Sequence, residues 1–402
     1  MSVEIFYVLW VIAAGVLIVR TLFFVGLSGA HYVSVRKKRV PNISAKPYIS
    51  VLVPCYNEEE TIINCIESLL KQSYDAYEVV IINDGSTDAT QMVAESLAKR
   101  FAERVRVCEK SNGGKASALN HGLLFARGSI VVTVDADSVL VPNALEEVAL
   151  CFDDPKVAAL GGNVKAANRG TLFGLHQSVE YVMGLNLQRR AFAMLSCVQV
   201  ISGAIGAFRK EALTAVGGYS SDTLVEDMDV TVALSKAGYR VAYADKVIAY
   251  TEVPETLSDF MKQRHRWVVG TFQVLYKYRS MLGNPRFGIM GVIGLPYFLL
   301  APIYNVLFFI LFCVTCMLVN PWFVVSACMS GMVVQVALLL YATTLDKEDT
   351  KLVLGVFSYV FWYQPLLAYV TIKAALAYVA QVEVRWNKLD RLGKNTLLPS
   401  YK

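Results

Sequence analysis

Residues 130–137 read Ile130-Val131-Val132-Thr133-Val134-Asp135-Ala136-Asp137, a β-rich run that ends in two carboxylates. Three earlier stretches have the same strand character: Ile49–Pro54, Glu78–Ile82 and Val105–Cys108. Helical stretches separate them. Glu60–Gln72 places apolar residues at 62, 63, 66, 69 and 70, and Thr87–Phe101 and Lys115–Ala126 complete the alternation. Pro142–Phe152 comes next as a helix with Pro in its first turn. Repeated β-α-β units predict a parallel, Rossmann-like α/β sheet with helices on both faces. In such sheets ligands bind at the carboxyl ends of the strands, and the polar motifs of this chain fall there.

A strand's period of two predicts that Asp135 and Asp137 point to one side, about 7 Å apart. Two carboxylates so placed can hold a divalent cation against a diphosphate; a solvated turn is the alternative. After the second strand, Asn83-Asp84-Gly85-Ser86 offers Asp84 to a base or ribose, or a helix cap by Ser86 or Thr87. Pro54-Cys55-Tyr56-Asn57-Glu58-Glu59 forms the adjoining wall. Asn112-Gly113-Gly114-Lys115 opens a helix where a phosphate can be received. It is no ATPase loop, because Glu109 and Ala116 occupy the positions that need Gly and Ser or Thr.

Further along, Val225-Glu226-Asp227-Met228-Asp229 is acidic with an apolar flank. A partly desolvated carboxylate beside another has a raised pKa, which suits a general base, although acidic residues also favour helix N-termini. In Gln263-Arg264-His265-Arg266-Trp267, helical spacing puts Gln263, Arg266 and Trp267 on one face. That face presents an amide, a guanidinium for phosphate and an indole for a sugar ring. A membrane-interface helix would carry similar residues.

The chain has 402 residues, 55% of them hydrophobic, with a net charge of +5 and eight cysteines. Apolar residues concentrate before residue 36 and after about residue 287. This is the profile of a water-soluble domain between membrane segments. The basic residues form no stripe, which excludes a nucleic-acid reader. The scattered cysteines form no secreted disulfide framework, and Cys313 and Cys316 read as buried small side chains. Ile5–Val35 is a retained helix interrupted by Arg20, which either snorkels or faces a polar channel. Arg36-Lys37-Lys38-Arg39 places the domain after it in the cytoplasm by the positive-inside rule. Leu172–Leu195 is helical, Val198–Phe208 is rich in small residues, and Leu257–Tyr278 suits an interfacial helix. Phe287–Val319, Trp322–Thr344 and Leu352–Ala380 are three further apolar segments. An odd number of spans would leave the basic tail Arg385–Lys394 outside, so one segment is expected to be re-entrant or interfacial.

The ordered set Pro54–Glu59, Asp84-Gly85-Ser86, Gly113-Gly114-Lys115, Asp135-Ala136-Asp137, Ser202-Gly203-Ala204, Glu226-Asp227 and Gln263–Trp267 resembles the processive family-2 glycosyltransferases. These are the cellulose, chitin, hyaluronan and poly-N-acetylglucosamine synthases. Met228 stands where chitin and hyaluronan enzymes usually carry Arg. With Trp386-Asn387-Lys388-Leu389-Asp390-Arg391, it makes the chain more similar to bacterial poly-β-1,6-N-acetylglucosamine synthases. Val225 departs from the Thr of many relatives.

The resemblance implies a GT-A fold over residues 48–256. Around it would lie a transmembrane helix (1–35), a basic linker (36–47), interfacial helices (257–286), a transmembrane region (287–382) and a basic cytosolic tail (383–402). It implies that Pro54, Tyr56, Glu58, Asp84, Lys115, Asp135 and Arg266 hold a UDP-sugar, and that Asp135 and Asp137 bind Mg²⁺ or Mn²⁺. Asp227 would be the base, with Glu226 beside it. Ser202, Gly203, Gln263 and Trp267 would hold the acceptor. The implied partners are the UDP-sugar, the growing polysaccharide, the lipid bilayer and a small accessory membrane subunit. The implied location is the inner (plasma) membrane, multi-pass, with the catalytic domain cytoplasmic. A lipid-linked sugar transferase, such as a dolichyl-phosphate mannose synthase, is the second reading. A non-catalytic membrane scaffold or receptor is the third.

Overall fold

A computed structural model describes residues 3–37, 46–318, 320–382 and 384. Most of the expected basic linker and nearly all of the tail, including Trp386–Arg391, lie outside the described residues. The strands are β1 (Ile49–Cys55), β2 (Tyr77–Asn83), β3 (Val105–Glu109), β4 (Ile130–Thr133), β5 (Ser138–Leu140), β6 (Val157–Ala166), β7 (Gly206–Arg209) and β8 (Arg240–Thr251). The first helices are α1 (Val3–Lys37), α2 (Ile62–Leu70), α3 (Thr90–Arg100), α4 (Lys115–Phe125) and α5 (Ala144–Cys151). Then come α6 (Leu172–Glu180), α7 (Leu187–Met194), α8 (Lys210–Ala215), α9 (Glu226–Lys236) and α10 (Leu257–Lys277). The chain continues through α11 (Leu295–Leu318), α12 (Pro321–Asp346), α13 (Val356–Ser358) and α14 (Gln364–Val379).

The strands form one sheet in the order β3-β2-β1-β4-β7-β6-β8-β5. Its first four strands are parallel, as the β-α-β alternation predicts. Their apolar residues alternate between two cores. Ile49, Val51 and Val53 of β1 pack with Ile62, Ile66 and Leu69 of α2 on one face, while Leu52 joins Leu119 of α4 on the other. Burial on both faces explains why these strands read as continuous apolar runs. Beyond β4, where the β-α-β alternation ends, the pairing changes. β7 pairs antiparallel with β4 and β6, and β5 antiparallel with β8, while β6 and β8 run parallel. The small residues of 198–208 are a loop entering β7, and the sheet is mixed.

The helix expected over 172–195 is broken by a π-helical turn, Tyr181–Asn186, between α6 and α7. Among the described residues, four helical segments are long and apolar enough to cross a membrane: Glu4–Arg36, Met290–Leu318, Pro321–Asp346 and Thr350–Val379. α1, α11 and α12 meet at the end remote from the sheet, where Trp10 Nε1 donates to Thr315 Oγ1 (2.6 Å) and Tyr7 stacks edge-on against Phe323. Arg20 of α1 is turned toward α11. Its guanidinium reaches Asn305 Oδ1 (3.4 Å) and lies 5.5 Å from the Tyr304 ring on α11. Cys313 and Cys328 are half-buried and Cys316 is exposed, so these thiols do not sit in a protein core; all described cysteines are free.

The segment Thr350–Val379 differs from the other three. A third of its most apolar window is buried in the protein, against 6% for each of the others. His176 of α6 contacts Ser358 (2.8 Å), and near its far end Tyr378 packs on Phe272 of α10 with ring centroids 5.4 Å apart. The two ends of this segment therefore lie against α6 and α10.

Candidate active site

Every residue named above for nucleotide, cation, base or acceptor lines one cavity of about 720 Å³ at the carboxyl ends of β1, β2 and β4. Its first wall is stapled across two strand ends. Ser86 Oγ accepts from the Asn57 amide (2.9 Å), and Asn57 Oδ1 accepts from the Thr87 amide (2.7 Å). Asn57 adopts a left-handed conformation at this turn (φ 56°), which asparagine tolerates. Pro54, Tyr56 and Glu58 border the same space.

Asp84 is almost fully buried. Its carboxylate accepts from the Gly114 amide (2.8 Å), the Gly113 amide (3.1 Å) and Lys110 Nζ (2.7 Å). The two glycine amides are thus engaged by Asp84 rather than open to a phosphate. The expected phosphate cradle is an internal clamp that fixes the start of α4. Gly114 supplies the positive φ of 83° that lets the chain turn into that helix.

The clamp positions Lys115, whose ammonium pairs with Asp135 and, at 3.3 Å, with Glu226. Burial alone would lower the Lys115 pKa, but Asp135, Glu226 and Asp227 outweigh it and hold it above the ordinary lysine range. One cation thus joins the end of β4 to the start of α9. Gly203 closes over this pair, and a Cβ there would meet Lys115 and lie 3.2 Å from Asp135 Oδ2.

Asp135 and Asp137 do not continue the strand. β4 ends at Thr133, and the Ser138 amide donates to the Asp135 carbonyl (2.9 Å) in a turn between β4 and β5. Asp137 Oδ1 accepts from Thr251 Oγ1 (3.1 Å) and Ser138 Oγ (3.2 Å). The donor set fits a hard divalent cation, since carboxylate oxygens are its preferred ligands. Among the described residues no group of three potential ligands gathers there, so such an ion would complete its shell with diphosphate oxygens and water.

Glu226 and Asp227 open α9, so the helix-start and cavity readings both hold. Asp227 Oδ1 accepts from the Met228 amide (2.8 Å) and Oδ2 from the Gly203 amide (3.2 Å). Burial and the neighbouring Glu226 push its pKa up to about 6, against the opposing pull of Lys115, the Met228 amide and Arg266. Asp229 points elsewhere. It is held by Lys277 (2.9 Å) and Tyr278 (2.8 Å), tying α9 to the end of α10.

α10 is capped by Thr256, whose hydroxyl accepts from the Asp259 amide. Its face turns Gln263, Arg266 and Trp267 into the cavity together. Arg266 Nη1 also donates to the Leu224 carbonyl (3.0 Å), anchoring it beside α9. The intervening Arg264 is buried the other way. It pairs with Glu180 at 2.7 Å, its guanidinium lies 4.2 Å from the Trp267 ring centroid, and Tyr363 Oη donates to the same Glu180 oxygen. The last apolar segment thereby braces the indole.

Several lining residues were not foreseen from sequence: Tyr181, Gln188, Arg189, Gln199 and Phe298. Read as one continuous helix over 172–195, the sequence carried no sign of this wall. A second unforeseen feature joins the sheet domain to the end of α12. Arg190 pairs with Asp346 (2.6 Å) and Asp245 (2.8 Å), and Glu348 with Lys165 (3.0 Å) and Arg169 (2.6 Å).

Residues 46–270 match the family model described as glycosyltransferase like family 2. The poly-beta-1,6-N-acetyl-D-glucosamine synthase of Staphylococcus aureus (strain COL) is 34% identical over 272 residues, covering 67% of this chain and 66% of that protein, just under two thirds of its length. The enzyme of the same name from Staphylococcus epidermidis is 34% identical over 230 residues, or 57% and 56% of the two chains. Among solved structures, a mannosyltransferase from Pyrobaculum calidifontis in complex with GDP-Man and Mn²⁺ superposes with a TM-score of 0.63. It covers 92% of this chain and 100% of its own at 23% identity, a likeness of fold. More than half of the sequence falls within the family match, and the chain belongs to glycosyltransferase family 2.

Proposed function

We propose that the chain is a membrane-embedded, inverting polymerase that adds sugars from a UDP-sugar, UDP-N-acetylglucosamine above all, to a β-linked polysaccharide. The observation that carries this is the meeting of four distant stretches in one cavity: Asp135 and Glu226 bridged by Lys115, Asp227 beside them, and Trp267 on the same enclosure. The likeness to poly-N-acetylglucosamine synthases supports the choice of sugar.

Transfer is a single displacement. Pro54, Tyr56, Glu58 and Asp84 border the nucleotide, and Lys115 and Arg266 offset charge on the departing diphosphate. A Mg²⁺ or Mn²⁺ ion held by Asp135 and Asp137 would add the larger share of that neutralisation. Ser202, Gly203, Gln263 and Trp267 seat the acceptor. Its hydroxyl oxygen attacks the anomeric carbon, the bond to UDP breaks with its electron pair, and the hydroxyl proton passes to Asp227. A carboxylate with a pKa near 6 is ionised at neutral pH yet basic enough to take that proton.

The cavity reaches Phe298 on α11, which supports passage of the product along the membrane helices. We further propose that α1, α11 and α12 cross the bilayer while Thr350–Val379 stays at its surface on the catalytic side. The tail then shares the cytoplasmic side with the sheet domain, in keeping with its basic charge.

The test incubates the purified full chain in nanodiscs with Mg²⁺ or Mn²⁺ and a panel of UDP-sugars, followed by linkage-specific glycosidases. A long β-linked polymer is expected. A single sugar transferred to lipid would replace polymerisation with the lipid-linked reaction. Absence of UDP release with every donor would end the enzymatic assignment.

A further inference from the structure

Two neighbouring arginines on α7 have opposite circumstances. Arg190 is fully paired with Asp346 and Asp245. Arg189 is 7% exposed, forms no ion pair among the described residues, and buries Nη1 without a hydrogen-bond partner. Burial holds its guanidinium below the ordinary arginine range, opposed only by Tyr243, Asp227 and Tyr181. A buried cation without a carboxylate is strongly unfavourable unless something else satisfies its donors.

Arg189 lines the cavity, and it is not the only unsatisfied group there. Gln199 is 4% exposed with Nε2 unpartnered, and Gln263 is 6% exposed with Oε1 unpartnered. The unmet set is therefore two donors and one acceptor, a pattern that a sugar's hydroxyl and amide oxygens can complete. The π-helical turn before α7 contributes to this placement. An extra residue in a turn rotates the next stretch of helix by about 100°, which changes the direction of Gln188 and Arg189.

Position separates this group from the nucleotide. Phe192 of α7 packs against Phe24 of α1 and Tyr297 of α11, with centroids 5.7 and 5.2 Å away. Gln199 lies against Gly294, just before α11, where a Cβ would come 3.5 Å from its Cγ. Gln199 and the helix that carries Arg189 thus belong to the wall that backs onto the long apolar helices. The diphosphate cations Lys115 and Arg266 are tied to Asp135, Glu226 and Leu224.

We propose that Arg189 and Gln199, together with Gln263, form a subsite for the terminal sugar of the growing chain, donating to its hydroxyl or acetamido oxygens while Trp267 supports the ring. This rests on the polymerase function proposed above and names what holds the acceptor as Asp227 takes its proton. Arg189 is a binding residue for a neutral, oxygen-rich sugar.

The test uses the full chain in nanodiscs with Mn²⁺, UDP-N-acetylglucosamine and a short β-linked N-acetylglucosamine oligosaccharide as acceptor. UDP binding is followed by calorimetry and folding by thermal melting. Arg189→Gln and Gln199→Leu are each expected to raise the half-saturating oligosaccharide concentration by roughly 10- to 100-fold. UDP affinity should stay within about twofold, and Arg189→Lys should recover part of the loss. Should Arg189→Gln fail to fold, Gln199→Leu decides. An equal loss of UDP affinity would move these residues to the donor site and overturn the subsite. Unchanged oligosaccharide saturation would overturn it as well. Arg189-dependent glycosylation of an added polyprenyl phosphate, with no effect on the oligosaccharide, would assign the guanidinium to a lipid phosphate instead. A wild-type chain that binds UDP but never extends the oligosaccharide would refute the polymerase function itself.

Discussion

The two walls of the cavity are built on opposite principles. On the strand-end wall the key charges are internally answered: Asp84 by Gly113, Gly114 and Lys110, and Lys115 by Asp135 and Glu226. On the helical wall facing the long apolar helices, Arg189, Gln199 and Gln263 each keep a buried polar atom without a partner. The first wall is preorganised before any ligand arrives, as electrostatic stabilisation of a leaving group requires. The second stays incomplete until something polar enters. A donor of fixed shape suits the first, and a chain that must slide on after each addition suits the second.

The largest expected effect lies where the walls meet. Asp227→Asn should lower transfer by roughly 10²- to 10⁴-fold while UDP binding persists; transfer surviving in purified protein would remove Asp227 as base. The same substitution should not destabilise the fold at neutral pH. A carboxyl with a raised folded-state pKa loses stability as pH rises from its ordinary value of 3.8 to about 6, and the amide lacks that loss. A melting temperature that falls on substitution, measured at pH 7.5, would contradict this.

Next is the brace behind Trp267. Glu180→Gln leaves Arg264 without its carboxylate and should destabilise the protein by about 3 kcal/mol. It should also raise the acceptor's half-saturating concentration while leaving UDP affinity unchanged. Tyr363→Phe removes one hydrogen bond to Glu180, at about 1 kcal/mol. Equal acceptor binding in both variants and the wild type would detach the brace from function.

On the opposite wall, Asp84→Asn should lower stability by about 2 kcal/mol, because charge-assisted bonds to Lys110 and two amides weaken. Here the loss should appear without any ligand, in thermal melting. An unchanged melting temperature would erase the distinction between the walls. A milder test is pH: below about 6 the rate should fall tenfold per unit as Asp227 takes up a proton, with UDP binding unaffected. The smallest perturbation is a label. Val382→Cys should leave activity intact and react with an impermeant maleimide from the same side as the sheet domain, whereas labelling from the opposite side would make Thr350–Val379 a full crossing.

The sequence by itself determined the alternating half of the fold. Strand and helix periods are local signals, so β1 to β4 and α2 to α5 were legible within three residues of their ends. So were the polar motifs beyond those strands, because in a parallel sheet the carboxyl end of each strand opens on the site. Only the tertiary structure decided the rest. β5 to β8 find partners far along the chain, as Ser138 does with Thr251, and such pairing leaves little mark on composition. Whether Asp84 faces a ligand or the Gly113 and Gly114 amides, and whether Arg190 is answered and Arg189 is not, depends on groups that folding brings near. The energy of a buried charge is set by its neighbours in space, and a sequence orders its residues along one dimension only.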